Sequence, residues 1–154
     1  MNNWTIEHLS RNVTRVTIDV PSTVGWEQDF LLSSDRHHDN AHTKHELELK
    51  HLDQALDKNA GIIDAGDLHC AMQGKFDPRQ DRSALRDEYQ CGDYLDALVR
   101  EAADFYKPYA DNFIVMGRGN HEQSILRRHE TDITERTAQA LRTICPSSQV
   151  AAGG

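Results

Sequence analysis

The sequence has no apolar run of the roughly 18 residues that a membrane-spanning helix needs, so no membrane segment is predicted. Its three cysteines, Cys70, Cys91 and Cys145, are an odd number without paired spacing. That count argues against a disulfide framework and against a four-cysteine zinc site. Residues Met1 to Ser10 contain no basic stretch followed by an apolar core, so no signal peptide is predicted. Together these absences favour a cytoplasmic protein.

Positive charge is also scarce. The chain has 17 Lys and Arg against 25 Asp and Glu, which gives a formal net charge of -8. Such a chain repels phosphate backbones in bulk, so the composition does not support a protein that coats nucleic acid. Acidic residues bind hard or borderline cations, however, and a bound cation can reverse the local field. The charge therefore leaves phosphate substrates open, and the 9 histidines supply further metal-ligand types.

The 154 residues have the length and composition of one globular domain, with 27% charged and 38% hydrophobic residues. We predict that this domain spans residues 1–145 and that the small, polar residues 146–154 form a mobile tail. Inside the domain, short apolar runs alternate with helical patterns. The predicted strands are Trp4–Leu9, Val13–Val20, Asp29–Ser33, Gly61–Asp64 and Asn112–Met116, and the predicted helices cover about 43–58, 93–106, and two segments between 124 and 144.

This alternation predicts an α/β fold with parallel strands. In the first predicted helix, Leu49, Leu52 and Leu56 recur at spacings of three and four and mark the expected buried face. At the end of the chain, Thr131 or Asp132 is expected to cap the last helix. No internal repeat or linker divides the sequence.

Three predicted strands end at clusters of metal-ligand residue types, namely Ser34–His38, Ala65–His69 and Arg118–Glu122. In open α/β sheets, ligands bind beyond the carboxyl ends of the strands, so these three ends are expected to converge on one site. Carboxylate, imidazole and amide oxygen together suit Mn, Fe, Zn or Mg. A glycine before Asp67 and another before Asn120 are expected to turn the backbone sharply there.

These clusters carry a family resemblance. The run SDRHHDN resembles the D-x-H motif of the calcineurin-like metallophosphoesterases, AGDLHC resembles their GD motif, and GRGNHE resembles their GNH-[DE] motif. The match covers about Phe30 to Glu122, and GDLHC with QGKFDPR resembles members from phages and bacteria. The resemblance implies an α/β fold that forms part of a four-layer α/β/β/α sandwich. It also implies hydrolysis of a phosphomonoester or phosphodiester, with nucleotides or nucleic acid among the substrates.

The resemblance assigns roles to five residues. Asp35 and His37 would bind a first divalent ion, Asp67 would bridge two ions, and Asn120 would bind the second through its amide oxygen. The ions would be Mn, Fe, Zn, Ni or Mg, and a metal-activated hydroxide would attack the phosphate in line. His121 would protonate the leaving oxygen or stabilise its charge.

Three further residues are expected near this chemistry. Arg118 would place a positive charge beside the phosphate, because a guanidinium pairs well with phosphate oxygens. His38 and His69 are candidates for contacts to substrate or to the metal ligands, and a plain loop position is the alternative for His69. For His38 with His42 and His45, a solvated helix start is preferred to a zinc site. The three cysteines are expected to be small buried hydrophobic residues.

The sequence departs from the family pattern in two places. Cys70 stands where many members have an acidic residue that orients the catalytic histidine. After His121 the only later histidine is His129, and no Gly-His pair occurs, so the second metal site has two ligands and should be weak. The protein serine/threonine phosphatases share RGNHE, but their GDxHG and GDxxDRG forms are absent, which argues against that branch.

Three interpretations follow from the missing ligands. The chain is an active phosphoesterase, a truncated and catalytically inert metal-binding or interaction module, or one subunit of a split enzyme completed by a partner chain. An incomplete second sheet predicts exposed apolar surface and self-association. A loop around 74–81, surrounded by Lys75, Arg79, Arg82 and Arg86, is a candidate cover for substrate, and a solvated loop is the preferred alternative. Arg127–His129 is likewise expected to be a solvated helix face.

Overall fold

The computed structural model describes residues 3–10, 12–22, 24–72, 78 and 85–153. Within these residues no helix combines the length and the apolar character that crossing a membrane requires. The loop at 74–81 that the sequence suggests as a cover for substrate lies, apart from Pro78, outside the described residues.

The described residues form six strands and four α-helices. The strands are β1 (Trp4–Ser10), β2 (Val13–Ile18), β3 (Phe30–Ser33), β4 (Gly61–Asp64), β5 (Phe113–Gly117) and β6 (Ala151–Gly153). The helices are α1 (His45–Asp57), α2 (Tyr94–Tyr106), α3 (Asn120–His129) and α4 (Ile133–Ile144), and 3₁₀ turns occur at Asp87–Tyr89 and Lys107–Tyr109.

A four-stranded parallel sheet with the order β3-β4-β5-β6 organises the molecule. Its strands follow one another in sequence order, with helices in the connections, so the predicted parallel α/β fold is confirmed. Right-handed crossovers between strands in this order bring successive helices to the same face of the sheet. Strands β1 and β2 form a separate antiparallel hairpin.

The main core lies between the sheet and helices α1, α2 and α4. Leu52, Tyr106 and Leu141 are fully buried there with Ile62 and Phe113 of the sheet. Burial of each such side chain contributes on the order of 1.5–3 kcal/mol. This packing holds the carboxyl edge of the strands in place.

The opposite face of β3 is open. Leu32 is 72% exposed and Phe30 is 42% exposed. Their neighbour Leu31 alternates to the other side, where it packs against the main core. The sequence predicts exposed apolar surface, and β3 presents it here.

The prediction of a mobile tail at 146–154 is wrong for the described part of that segment. Ala151–Gly153 is β6 and pairs with β5, and Val150 is buried in the main core. Arg142 holds the segment that leads into β6, because its Nη1 donates to Val150 O at 2.7 Å. The small alanines carry no strand signal of their own, and the edge of β5 supplies the pairing that orders them.

The buried face of α1 also differs from the prediction. Glu48, Leu52 and Ala55 are buried, whereas Leu49 and Leu56 are 38% and 45% exposed. The helix turns its Glu48 side inward because this carboxylate is paired with cationic side chains in the interior. A count of apolar residues cannot find a face that includes a buried charge.

The cap of the last helix is confirmed, since Asp132 Oδ1 accepts from the Glu135 backbone amide at 3.1 Å. Helix α3, in contrast, begins four residues before the predicted Ser124. Asn120 and His121 therefore lie in its first turn, where unpaired backbone amides and the helix dipole favour negative charge.

Candidate metal centre

Three loops meet at the carboxyl edge of the parallel sheet, as the sequence predicts. The loop after β3 is joined to the loop after β4 by backbone hydrogen bonds from Asp35 N to Gly66 O and from His37 N to Asp67 O, both 3.0 Å long. The loop after β4 is joined to α3, because the His121 backbone amide donates to Asp67 Oδ1 at 2.9 Å. Segments far apart in the chain thus converge on Asp67.

Three of the predicted metal ligands have left-handed backbone conformations. The φ angles are 54° for Asp35, 45° for His37 and 56° for Asp67. Such conformations are uncommon for residues other than glycine and cost on the order of 1–3 kcal/mol each. The hydrogen bonds between the loops maintain them. Strain of this kind concentrates at binding and catalytic sites, where it fixes the direction of a side chain.

Asn120 lies directly against Asp67. With its amide nitrogen turned toward the carboxylate, Asn120 donates to Asp67 Oδ2 at 3.0 Å. In the other orientation its amide oxygen faces the carboxylate oxygen, an arrangement that a cation between the two oxygens would stabilise. The predicted pairing of Asp67 with Asn120 is therefore present in space, and a metal ion or a hydrogen bond can hold it.

Two glycines allow the loops to approach so closely. Gly66 has φ 119°, so the predicted sharp turn before Asp67 is confirmed. Gly119 has φ -81° and makes no such turn. Instead, a Cβ at position 119 would lie 2.2 Å from Asp67 Oδ1 and 2.3 Å from Asp67 N. The prediction for Gly119 is corrected. Glycine is required here because there is no room for a side chain, not because the backbone angle is unusual.

Glu122 joins the loop after β4 to the start of α3. Its Oε2 accepts from the backbone amides of Asp67 at 3.1 Å and Gly119 at 3.0 Å, and its Oε1 accepts from that of His69 at 2.9 Å. Burial raises the pKa of Glu122 to about 7, while the bond from His69 and the other backbone donors act in the opposite direction. A glutamate at the third helical position is a signal for such capping in the sequence.

His121 is oriented by Cys70. Its Nδ1 donates to the Cys70 backbone carbonyl at 2.5 Å. Cys70 raises the pKa of His121 to about 9, first through its side chain and then through its backbone, and burial works against this increase. The main chain of Cys70 thus orients the His121 ring. Sequence reasoning misses this contact, since it involves a carbonyl that every residue has.

His37, Cys70 and His121 bring three metal-binding atoms together. One ligand atom from each lies within 4.8 Å of the others. The rings of His37 and His121 meet edge to face with their centroids 4.7 Å apart. His37 Nδ1 is buried and has no hydrogen-bond partner among the described residues. Asp35 lines the same open cleft, whose volume is about 520 Å³. This donor set fits a divalent metal ion.

Arg36 fixes the strand end that carries Asp35 and His37. Its Nε donates to Asp64 Oδ2 at 3.1 Å, and its Nη1 donates to Glu48 Oε1 at 3.2 Å. Because Arg36 is directed into the interior, the side chains on either side of it are left for the cleft. Sequence reasoning missed this anchor, because the pattern of apolar residues in α1 does not show that Glu48 is buried.

The structure places His38 away from the cleft. The ring is buried and lies between Glu48, with Nδ1 to Oε2 3.2 Å, and Glu101, with Nε2 to Oε2 2.8 Å. Burial lowers its pKa, but the bonds to Glu101 and Glu48 outweigh this effect and raise the pKa to about 9. His38 is thus a buried cation that ties the loop to α1 and α2. The predicted substrate contact is corrected, and the solvated helix start is also wrong for this residue.

His69 is fully buried as well. Its Nε2 lies 3.0 Å from Thr137 Oγ1 of α4, and burial lowers its pKa to about 4, so the ring is neutral. A substrate contact through this side chain is therefore excluded. Its backbone amide, through Glu122, still supports the loop of Asp67.

Arg118 is engaged with α4. Its Nη2 contacts Asp132 Oδ2, and its side chain is 6% exposed. This pair links the end of β5 to the first turn of α4, which differs from the open phosphate contact that the sequence predicts. Two other basic side chains lie near the site. Arg127 and Arg128 line a second cleft together with Asn120.

Comparisons of the chain with protein-family models, with curated proteins and with solved structures gave no match. The family therefore stays a prediction from the three motifs and from the way their residues converge.

Proposed function

We propose that this chain is a metal-dependent phosphoesterase that hydrolyses a phosphomonoester or a phosphodiester. The observation that supports the proposal is that the loops of Asp35, His37 and Asp67, all in strained left-handed conformations, are joined by backbone hydrogen bonds, with Asn120 against Asp67. We further propose that the parallel sheet and the helices packed on it are two of the four layers of the α/β/β/α sandwich of the calcineurin-like metallophosphoesterases. The open face of β3, with Leu32 exposed, is where a second sheet would pack.

The donors divide between two metal positions. Asp35 and His37 would hold one ion, Asp67 would bridge, and Asn120 would contribute its amide oxygen to a second, weaker position. When bound, such ions lower the pKa of water and neutralise the charge of the phosphate. The unpartnered Nδ1 of His37 and the amide of Asn120 beside Asp67 support this fit.

The chain itself supplies the proton for the leaving oxygen. His121 keeps Nδ1–H on the Cys70 carbonyl, which leaves Nε2 for the substrate. A ring held in this way can present its Nε2 proton to the leaving oxygen. The cleft that Asn120 shares with Arg127 and Arg128 favours an anionic substrate, and a nucleotide or nucleic acid meets this requirement.

The experiment compares the native chain with Asp67→Asn and with the exposed Asp57→Asn on α1 as the matched control. Each protein is loaded with Mn²⁺, its metal content is measured by mass spectrometry, and hydrolysis of bis-p-nitrophenyl phosphate is followed. We expect one tightly held ion per native chain, hydrolysis by the native and Asp57→Asn proteins, and neither in Asp67→Asn.

Other outcomes decide between the interpretations. Metal binding without hydrolysis would favour the inert metal-binding module, and hydrolysis that appears only with a second polypeptide would favour the split enzyme. Hydrolysis by the Asp67→Asn protein at the native rate would contradict the proposed function. Two tightly held ions per native chain would contradict the weak second position.

A further inference from the structure

Cys70 lies where its sulfur can reach a metal ion. The Sγ atom belongs to the group of three ligand atoms within 4.8 Å of one another, with His37 and His121. The side chain is 9% exposed and lines the cleft that also contains Asp35. A buried structural cysteine would instead face apolar neighbours only.

The backbone around this sulfur is firmly held. The two carboxylate oxygens of Asp39 accept from consecutive amides, Oδ1 from Cys70 at 2.6 Å and Oδ2 from Ala71 at 3.0 Å. Asp39 is buried, and Ala71 has a left-handed φ of 48°. A strained turn fixed by a buried carboxylate directs Cys70, in the same way as the strained turns that carry Asp35 and Asp67.

The sulfur is used as an acceptor. Asn40 Nδ2 donates to Cys70 Sγ at 3.5 Å. Asn40 lines the same cleft, so this contact keeps the sulfur at the cleft wall. His37 belongs to the same group of three, and its buried Nδ1 has no partner in the described part of the chain. A metal ion bound at that nitrogen would supply the partner.

We propose that the Cys70 sulfur is a metal ligand beside His37 and that it gives this centre a preference for zinc over magnesium and manganese. The inference rests on the metal-dependent function proposed above and names its metal. Thiolate favours Zn²⁺, whereas Mg²⁺ and Mn²⁺ prefer oxygen ligands. On binding, the S–H bond of Cys70 breaks, its proton passes to solvent, and a sulfur–metal bond forms. Asp35 lines the same cleft and would supply a further ligand, with an open position left for water.

The first test is a Co²⁺ titration of the native chain, of Cys70→Ser and of Cys91→Ser. Cys91 is exposed, so its variant is the matched control. We expect a sulfur-to-cobalt charge-transfer band in the near ultraviolet for the native and Cys91→Ser proteins and no such band for Cys70→Ser. The affinity of Cys70→Ser for zinc should fall by more than the roughly 10–100-fold that loss of an outer hydrogen-bond partner costs.

The outcomes separate this inference from the function on which it rests. Cobalt that binds with visible d–d absorption but without the charge-transfer band would overturn the role of Cys70 and leave the phosphoesterase intact. A native chain that binds no cobalt would overturn both.

A second measurement needs no variant, so it stands even where Cys70→Ser does not fold. X-ray absorption of the zinc-loaded native chain should show a zinc–sulfur distance of about 2.3 Å beside nitrogen and oxygen ligands at about 2.0–2.2 Å. A shell of light atoms alone would refute the assignment. Dialysis against equal Zn²⁺ and Mn²⁺ should also leave zinc in the native chain, and retention of manganese would contradict the stated preference.

Discussion

Glu48 Oε2 lies 3.2 Å from His38 Nδ1 in the interior, behind the loop that carries Asp35 and His37. The same carboxylate accepts from Arg36 through its other oxygen. One buried glutamate of α1 thus joins two cationic side chains of the loop after β3. This arrangement makes the loop rigid from behind, so that the two candidate ligands keep their strained conformations.

We expect Glu48→Gln to destabilise the protein by about 1–3 kcal/mol, because it leaves Arg36 and His38 with Asp64 and Glu101 as their anionic partners. Urea unfolding measures this loss. Glu46→Gln, an exposed change on the same helix, should stay within about 0.5 kcal/mol of the native chain. Equal unfolding midpoints for the two variants would show that the pair with Glu48 contributes nothing.

The loss of unfolding free energy at low pH should depend on the same network of buried charges. Burial alone would raise the pKa of Glu48, but the bond from His38 and further contacts lower it to about 2, and Glu101 behaves alike. Between the ordinary value of 4.5 and about 2, the unfolded chain therefore binds more protons than the folded one. The contribution of Glu48 and Glu101 to the unfolding free energy is fully present above about pH 4.5 and is lost as the pH falls toward 2.

Unfolding midpoints in urea between pH 6 and pH 2.5 measure this loss. We expect a clear decrease for the native chain and for Glu46→Gln, and a shallower one for Glu48→Gln. A slope in Glu48→Gln as steep as in the native chain would contradict the assignment.

Much of the centre could be predicted from the sequence, because parallel strands end at one edge and polar residues follow each apolar run. The loops that carry Asp35, His37, Asp67 and Asn120 meet for that reason. Their support could not be predicted, since the burial of Arg36 and Glu48 depends on each finding its partner across the fold. The strand at Ala151–Gly153 was missed for a similar reason: its order comes from the neighbouring strand β5, not from its own side chains.

The close approach of the loops leads to a prediction for Gly119. A Cβ there would lie 2.2 Å from Asp67 Oδ1, so Gly119→Ala must displace the Asp67 carboxylate. We expect a loss of about 1–3 kcal/mol in unfolding free energy and a marked loss of metal binding. Gly92 has no heavy atom within 4 Å of such a Cβ. Gly92→Ala should be neutral or stabilise by up to about 1 kcal/mol.

Calorimetric metal titration and urea unfolding of both alanine variants provide the measurement. Native-like metal affinity in Gly119→Ala would show that Asp67 moves freely and that its contact with Gly119 has no role in the site.

His121 offers a prediction that separates a proton donor from a metal ligand. If Nε2 protonates the leaving oxygen, His121→Ala should lower kcat for a phosphodiester with an alkoxide leaving group by roughly 10²–10⁴-fold, while the metal content stays at the native level. His51→Ala, an exposed change on α1, should leave both quantities unchanged. Metal content measured by mass spectrometry beside the rate distinguishes the two roles, because loss of a ligand lowers both together.

The dependence on the leaving group gives a sharper form of this test. A p-nitrophenolate departs without much help from an acid, whereas an alkoxide needs a proton in the transition state. The defect of His121→Ala should therefore be small for p-nitrophenyl esters and should grow along a series of phosphodiesters with increasingly basic alcohols. Rates for the native chain and the variant across such a series give the two slopes. Parallel slopes would mean that His121 transfers no proton, and its bond to Cys70 would then serve only to position the ring.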